Sequence, residues 1–196
     1  MKTSAQTAHL RKEWVLWVLY GLCALFSFVG SAALSQTIGA KADDAMRRIY
    51  PSAKTITGVS ITLDSVVTAK VYARSEQVIR GKVAVRLAKD AAGNILGYGL
   101  IDEVRGKSQP ITYITIIAPN GSIAEIEILV YREPYGGEVQ YETFRKQFRG
   151  KRASSDLRVG RDIQNIAGAT ISSRAITNGT KKMLIVFEEL KREKAL

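Results

Sequence analysis

Between Asp162 and Ile176 the chain reads DIQNIAGATISSRAI, and this stretch concentrates the residues that could do chemistry. Gly168 and Ala169 are small and let another group approach the backbone closely. Thr170, Ser172 and Ser173 then bring three hydroxyls to the start of a helical pattern. A helix N-terminus offers free N–H groups and the positive end of a dipole. Together these make a phosphate site ringed by hydroxyls. The same residues also suit an ordinary helix cap, with Thr170 or Ser172 accepting from first-turn amides and no ligand. A threonine hydroxyl is a weak nucleophile and reacts only with the help of a base and a metal.

Composition narrows the chemistry further. The 196 residues hold one histidine, His9, and one cysteine, Cys23. Both fall in the first 25 positions, which excludes a disulfide scaffold, a Cys/His zinc site, haem attachment through CxxCH and cysteine-ligated iron–sulfur clusters. A Ser-His-Asp or Cys-His enzyme is excluded as well. Redox chemistry here needs a cofactor that takes none of these ligands. The net charge is +11, and residues 141–196 hold 13 Lys/Arg against 6 Asp/Glu. Such a surface attracts polyanions, anionic lipid or an acidic protein. The chain carries no nucleic-acid motif, so no nucleic-acid partner is expected.

Several elements must position the hydroxyl cluster. Lys54–Leu63 and Ser65–Ala73 are rich in β-branched residues and read as strands. Lys82–Asp90, the turn Ala91–Asn94 and the run from Ile95 read as a hairpin. A second hairpin, Ile111–Ala118 and Ser122–Tyr131, flanks Pro119-Asn120-Gly121. Its later arm breaks strict alternation, which predicts a bulge near Ala124. Gly137–Gly150 reads as helical, with Val139, Phe144 and Phe148 on one side. From Thr170 to Leu196 runs the longest helical pattern, with Ile176, Met183, Val186, Phe187 and Leu190 as its stripe. The expected fold class is α+β, an antiparallel sheet built from hairpins with flanking helices, preceded by one transmembrane helix.

That transmembrane helix is read from Trp14–Leu34, 21 residues without a charge. At 1.5 Å per residue they match the roughly 30 Å of a bilayer core. Trp14, Trp17 and Tyr20 suit an aromatic belt, and Lys2, Arg11 and Lys12 place the N-terminus in the cytoplasm. A cleaved signal peptide ending near Ser31-Ala32-Ala33 is the competing reading, but the run exceeds the usual 7–15-residue signal core. The expected layout is a cytoplasmic leader at 1–13, an anchor in the lipid bilayer at 14–35, a helical linker at 36–53 and a domain at 54–196. The domain then lies on the periplasmic or extracytoplasmic side of the inner membrane.

The string IAGATISSRA resembles the flavinylation motif of the FMN-binding domain family, whose members include the periplasmic flavin subunits of Rnf electron-transport complexes and of the sodium-pumping NADH:quinone reductase. That pattern is close to Asp-x-x-Ser/Thr-Gly-Ala-Thr-x-Ser/Thr. The resemblance implies that Thr170 is the attachment residue, joined to FMN through a phosphoester, with Gly168, Ala169, Ser172 and Ser173 beside it. Two positions depart from the pattern: Gln164 stands where the family has Asp, and Ala167 where it has Ser/Thr. Upstream, Gly97–Gly99, Pro110-Ile111, Pro119–Gly121 and the loop Glu133-Pro134-Tyr135-Gly136-Gly137 resemble the family's glycine-rich turn, hairpin and Pro-Gly loop. The resemblance covers roughly residues 83–190.

It implies that Thr170 is an acceptor rather than a catalyst. A separate magnesium-dependent flavin transferase would use FAD as donor, with AMP leaving. The helix N-terminus and Arg174 would stabilise the phosphoester, and Tyr135 would stack on the ring. The implied function is that of a membrane-anchored flavoprotein subunit relaying electrons within a membrane redox complex. From charge alone, the alternative is a cofactor-free basic module, anchored in the membrane, that binds an acidic partner.

Overall fold

The computed structural model describes residues 34–79 and 81–196. The expected leader and nearly all of the expected anchor lie outside the described residues. Among the described residues no helix is long and apolar enough to cross a membrane. Two compact units are distinguished, Met1–Gly39 and Ala40–Leu196. Residues 34–39, the described part of the first, are helical. The second unit carries the fold described below.

Five strands form one antiparallel sheet in the order β1-β2-β3-β4-β5, a meander in which each strand pairs with its sequence neighbour. They are β1 (Thr55–Thr62), β2 (Lys82–Lys89), β3 (Ile95–Arg105), β4 (Pro110–Ile117) and β5 (Ile123–Val130). Both expected hairpins are present. Asp90 closes the first by accepting from the backbone N–H of Ala92 and Asn94 at 2.9 and 2.8 Å. In the second, Ile116 pairs with Glu125 and Ile117 with Ile123, so Ala124 is the extra residue of the expected bulge. A second bulge leaves Leu129 unpaired between Val130 and Ile128.

Helices cover both faces of the sheet. On one face lie α2 (Ser65–Ser75) and α4 (Thr170–Arg192), which pack against each other while α4 also crosses β3 and β4. All five residues of the expected α4 stripe are buried. On the other face, residues 40–49 of helix α1 (34–49) bury Ala42, Ala45 and Met46. Met46 and Ile114 converge over Gly99, and the ring of Tyr50 lies over Gly97. Gly97 and Gly99 are thus inside β3, not in a turn. They lower the sheet surface so that α1 can settle on it. With both faces covered, Ile111 to Ile117 of β4 are all buried, which explains why β4 reads as a nearly unbroken apolar run.

One element differs in kind from its sequence reading. Ser65–Ser75 is helical, not extended. Asp64 caps it by accepting from the N–H of Val67 at 2.8 Å, and Val67 and Val71 bury one face four residues apart. The β-branched content suggested a strand, but the cap and the four-residue spacing decided otherwise. Gly137–Gly150 is helical only in pieces. A 3₁₀ turn at Gly137–Gln140, one turn of α3 (Glu142–Arg145) and a 3₁₀ turn at Lys146–Phe148 follow one another. Val139, Phe144 and Phe148 are nonetheless all buried, the two phenylalanines edge to face at 5.3 Å.

Candidate flavin site

The first turn of α4 meets two other segments at one end of the domain. The β3–β4 turn contributes Lys107, the loop after β5 contributes Glu133 to Gly136 and Glu138, and the α4 entry contributes Gly168 to Ser172. Together they line a cleft of about 450 Å³. Eight of the nine residues singled out from sequence line it. The ninth, Ser173, is fully buried in the core side of α4. Successive helical residues point about 100° apart, so Ser172 and Ser173 cannot serve the same cleft.

The helix begins without a cap. Ala169 occupies the N-cap position with no side-chain hydrogen bond, and the first turn has no acidic residue. Neither Thr170 nor Ser172 acts as the cap. The positive helix end therefore faces the cleft uncompensated. Gly168 sits just before it at φ +82°, in a turn closed by the Ala169 N–H on the Ile166 carbonyl at 3.0 Å.

Thr170 is half-buried, and its hydroxyl oxygen accepts from Asn165 Nδ2 at 2.9 Å. That contact leaves the hydroxyl proton unused. Asn165 was not singled out from the sequence, and its only signal is its place five residues before the threonine. Gln164, at the motif's Asp position, is exposed and donates its backbone N–H to Gln147 Oε1 at 2.6 Å. Asp162 does not replace that Asp. It accepts from Leu157 N, Arg158 N and Lys151 Nζ, between 2.9 and 3.1 Å. Burial raises its pKa, but these donors outweigh it and hold the carboxyl below the ordinary range.

Ser172 braces the loop. Tyr131 donates its hydroxyl proton to the Tyr135 carbonyl at 2.6 Å, so Ser172, 3.1 Å from the same phenol oxygen, is the donor to it. Burial pushes the Tyr131 phenol up, so it stays neutral. This brace draws the loop onto the helix. Gly136, at φ +81°, lies so close that a Cβ there would stand 3.3 Å from both Ala169 Cα and Ser172 Oγ. Tyr131 is the second residue that the sequence did not mark.

Glu133 is buried, and its carboxylate turns toward the β3–β4 turn. It accepts from Ser108 Oγ at 2.6 Å, Ser108 N at 2.7 Å and Gln109 N at 3.0 Å. The Ser108 hydroxyl and these amides hold its carboxyl below the ordinary glutamate range. Glu133 therefore fixes the two loops to each other. Tyr135 is 78 % exposed and presents its ring at the cleft rim. The cation lining the cleft is Lys107. Arg174 is exposed and does not line it.

A free helix N-terminus, a lysine, a hydroxyl with an unused proton and an exposed aromatic ring suit a phosphorylated ligand with a flat ring system. The cleft volume falls in the range of small-molecule sites. Residues 106–185 match the FMN-binding domain family. The matched span contains every residue that lines the cleft. The chain is also 28 % identical over 102 residues to a subunit of the proton-translocating ferredoxin:NAD(+) oxidoreductase complex of Clostridium ljungdahlii, covering 48 % of this chain and 55 % of that one. To a subunit of the Na(+)-translocating ferredoxin:NAD(+) oxidoreductase complex of Acetobacterium woodii it is 29 % identical over 110 residues, or 51 % of this chain and 53 % of that one. The chain thus spans about half the length of these curated relatives. In fold it is similar to NqrC of Shewanella oneidensis, with TM-score 0.56 and 13 % identity over 79 % of this chain and 99 % of that one.

Proposed function

We propose that this chain is a membrane-anchored flavoprotein subunit that relays electrons through FMN held covalently on Thr170. The observation that carries the reading is the convergence of Thr170, an uncapped helix N-terminus and the Tyr135 loop on one cleft. Relatives that are subunits of ferredoxin:NAD(+) oxidoreductase complexes support a place within a membrane redox complex. The apolar run at 14–35 is the bilayer anchor in this reading, with the domain on the periplasmic or extracytoplasmic side.

The chain's own residues have plain tasks. Asn165 Nδ2 holds the Thr170 oxygen and leaves its proton aimed away from that contact. In attachment, Thr170 Oγ1 forms a bond to the FMN phosphorus of FAD, AMP departs with the broken P–O bond, and the threonine proton passes to a base of the flavin transferase. The domain has no histidine to serve as that base. The α4 dipole and Lys107 then stabilise the remaining phosphoester charge. Tyr135 covers the ring, and the loop braced by Tyr131, Ser172 and Glu133 limits water around it. Flavin supplies the redox chemistry when bound, and the protein sets its exposure and potential.

The test is intact mass of the full chain co-produced with a flavin transferase. Wild type gains the mass of FMN less one water, and Thr170→Ala gains nothing while keeping its fold by circular dichroism. An unmodified wild type overturns the covalent reading.

A further inference from the structure

A second pocket, of about 350 Å³, lies at the tail of α4. The β4–β5 turn around Asn120, the pair Arg152 and Ser154, and the last turns of α4 enclose it. Phe187, its first α4 residue, is about 22 Å along the helix from Ser172 of the flavin cleft. Three cations line it against one carboxylate. Arg192 is neutralised by Glu189 at 2.8 Å, and Glu188 is taken by Arg74 at 2.7 Å. Arg152 and Lys191 have no ion pair among the described residues, and what holds each of them is neutral. Arg152 Nη1 donates to the Asn120 carbonyl. Lys191 Nζ donates to the Tyr98 hydroxyl at 3.2 Å and lies 5.2 Å from the centre of that ring. Tyr98 in turn meets Phe187 edge to face at 5.1 Å. Gly121 brings the turn onto the same spot, where a Cβ would stand 3.7 Å from the Phe187 ring and 3.9 Å from Arg152 Nη1. Two positive charges are thus fixed at one pocket by partners that leave them uncompensated.

We propose that this pocket binds a phosphate group through Arg152 and Lys191, as an anion site separate from the flavin. A guanidinium fork beside an ammonium complements a phosphate's oxygens. Ser154 adds a hydroxyl donor. Asn120 Oδ1 is occupied by the backbone N–H and the hydroxyl of Ser122, so Asn120 has its amide N–H groups left to offer. At the helix end, the carbonyls of Glu189, Leu190 and Lys191 are already taken by the amides of residues 193–195. Two uncompensated cations match the one or two negative charges of a phosphate, and the volume leaves room for the group that bears it. Free inorganic phosphate and the headgroup of an anionic lipid both supply this chemistry.

The experiment reads Lys191 acetylation by peptide mass spectrometry on the full chain, reconstituted in vesicles and loaded with FMN. Lys54, an exposed lysine that does not line the pocket, is the internal control. In phosphatidylcholine vesicles, inorganic phosphate is compared with chloride at equal ionic strength. In phosphatidylglycerol vesicles no phosphate is added. At about ten times its dissociation constant, phosphate is expected to slow Lys191 acetylation about tenfold relative to Lys54, in proportion to the unoccupied fraction. Protection that needs added phosphate identifies the free anion as the ligand, and protection by phosphatidylglycerol alone identifies a headgroup. Arg152→Gln is expected to abolish the protection and Arg152→Lys to keep most of it, both with wild-type FMN loading by intact mass. Absence of protection in both arms overturns the proposal. So does protection shared equally by Lys54, or kept in full by Arg152→Gln. None of these results bears on FMN attachment, which the adduct mass reports separately.

Discussion

The two halves of α4 solve opposite problems. From Ile176 to Leu190 the helix is clamped. Lys182 reaches Asp102 on β3 at 2.9 Å, and Tyr113 donates to the same carboxylate at 2.9 Å. Burial, reinforced by the Asp102 charge, pushes the Tyr113 phenol well up and keeps it a donor. Gly179 lets the helix come so close that a Cβ would collide with the Tyr113 hydroxyl. Further on, the buried Glu189 takes Arg74 at 2.9 Å and Arg192 at 2.8 Å. From Thr170 to Ser172, by contrast, the helix is uncapped and opens on a cleft. Ion pairs hold the rear, and free backbone N–H groups stand at the front. The difference separates a structural use of buried charge from a ligand-binding one.

That comparison is broken most strongly at the rear. Lys182→Met strands the Asp102 charge inside the fold and is expected to lower stability by about 3–5 kcal/mol in urea unfolding. Adding Asp102→Leu should recover much of the loss, because an apolar pair of similar volume replaces the ion pair. Recovery of stability with unchanged FMN loading would show the rear to be purely structural. At the front, Gly136→Ala places a Cβ in a left-handed conformation against Ala169. It should cost about 1–2 kcal/mol and slow FMN attachment, read by denaturation and timed mass spectra.

A smaller effect is expected from pH. The Glu133 carboxyl is depressed in the folded state, so its contribution is fully present above the unfolded glutamate value of about 4.3. It is lost as pH falls from there through the lower folded value. Thermal melts of wild type and Glu133→Gln should therefore differ at neutral pH and converge under acid. The smallest change in stability is expected from Asn165→Ala, within about 0.5 kcal/mol for an exposed residue. Its FMN attachment, timed by mass, should nevertheless slow severalfold, because the acceptor hydroxyl loses its orienting donor.

Sequence periodicity captured what short-range physics controls. The Pro119-Asn120-Gly121 turn, the Ala124 bulge and the α4 stripe all follow from turn chemistry and alternation. Ser65–Ser75 did not, because β-branched content was weighed above the Asp64 cap and the Val67/Val71 spacing. In the site, the motif pointed to Thr170 and its neighbours and, through the upstream loop, to Tyr135. It could not point to Tyr131, which lies 41 residues from its partner Ser172, or to Lys107, which arrives from another hairpin. Glu133 was marked, but its use as a brace to Ser108 emerges only from contacts 24 and 25 residues apart.

The 23 residues of α4 form one unbroken rod, about 35 Å long, seated on the sheet through most of its length. A group fastened to the head of such a rod has little freedom to swing by itself. If electron carriers stand farther apart than an electron can hop, the passenger cannot bridge them alone. In that case the whole domain must move with it.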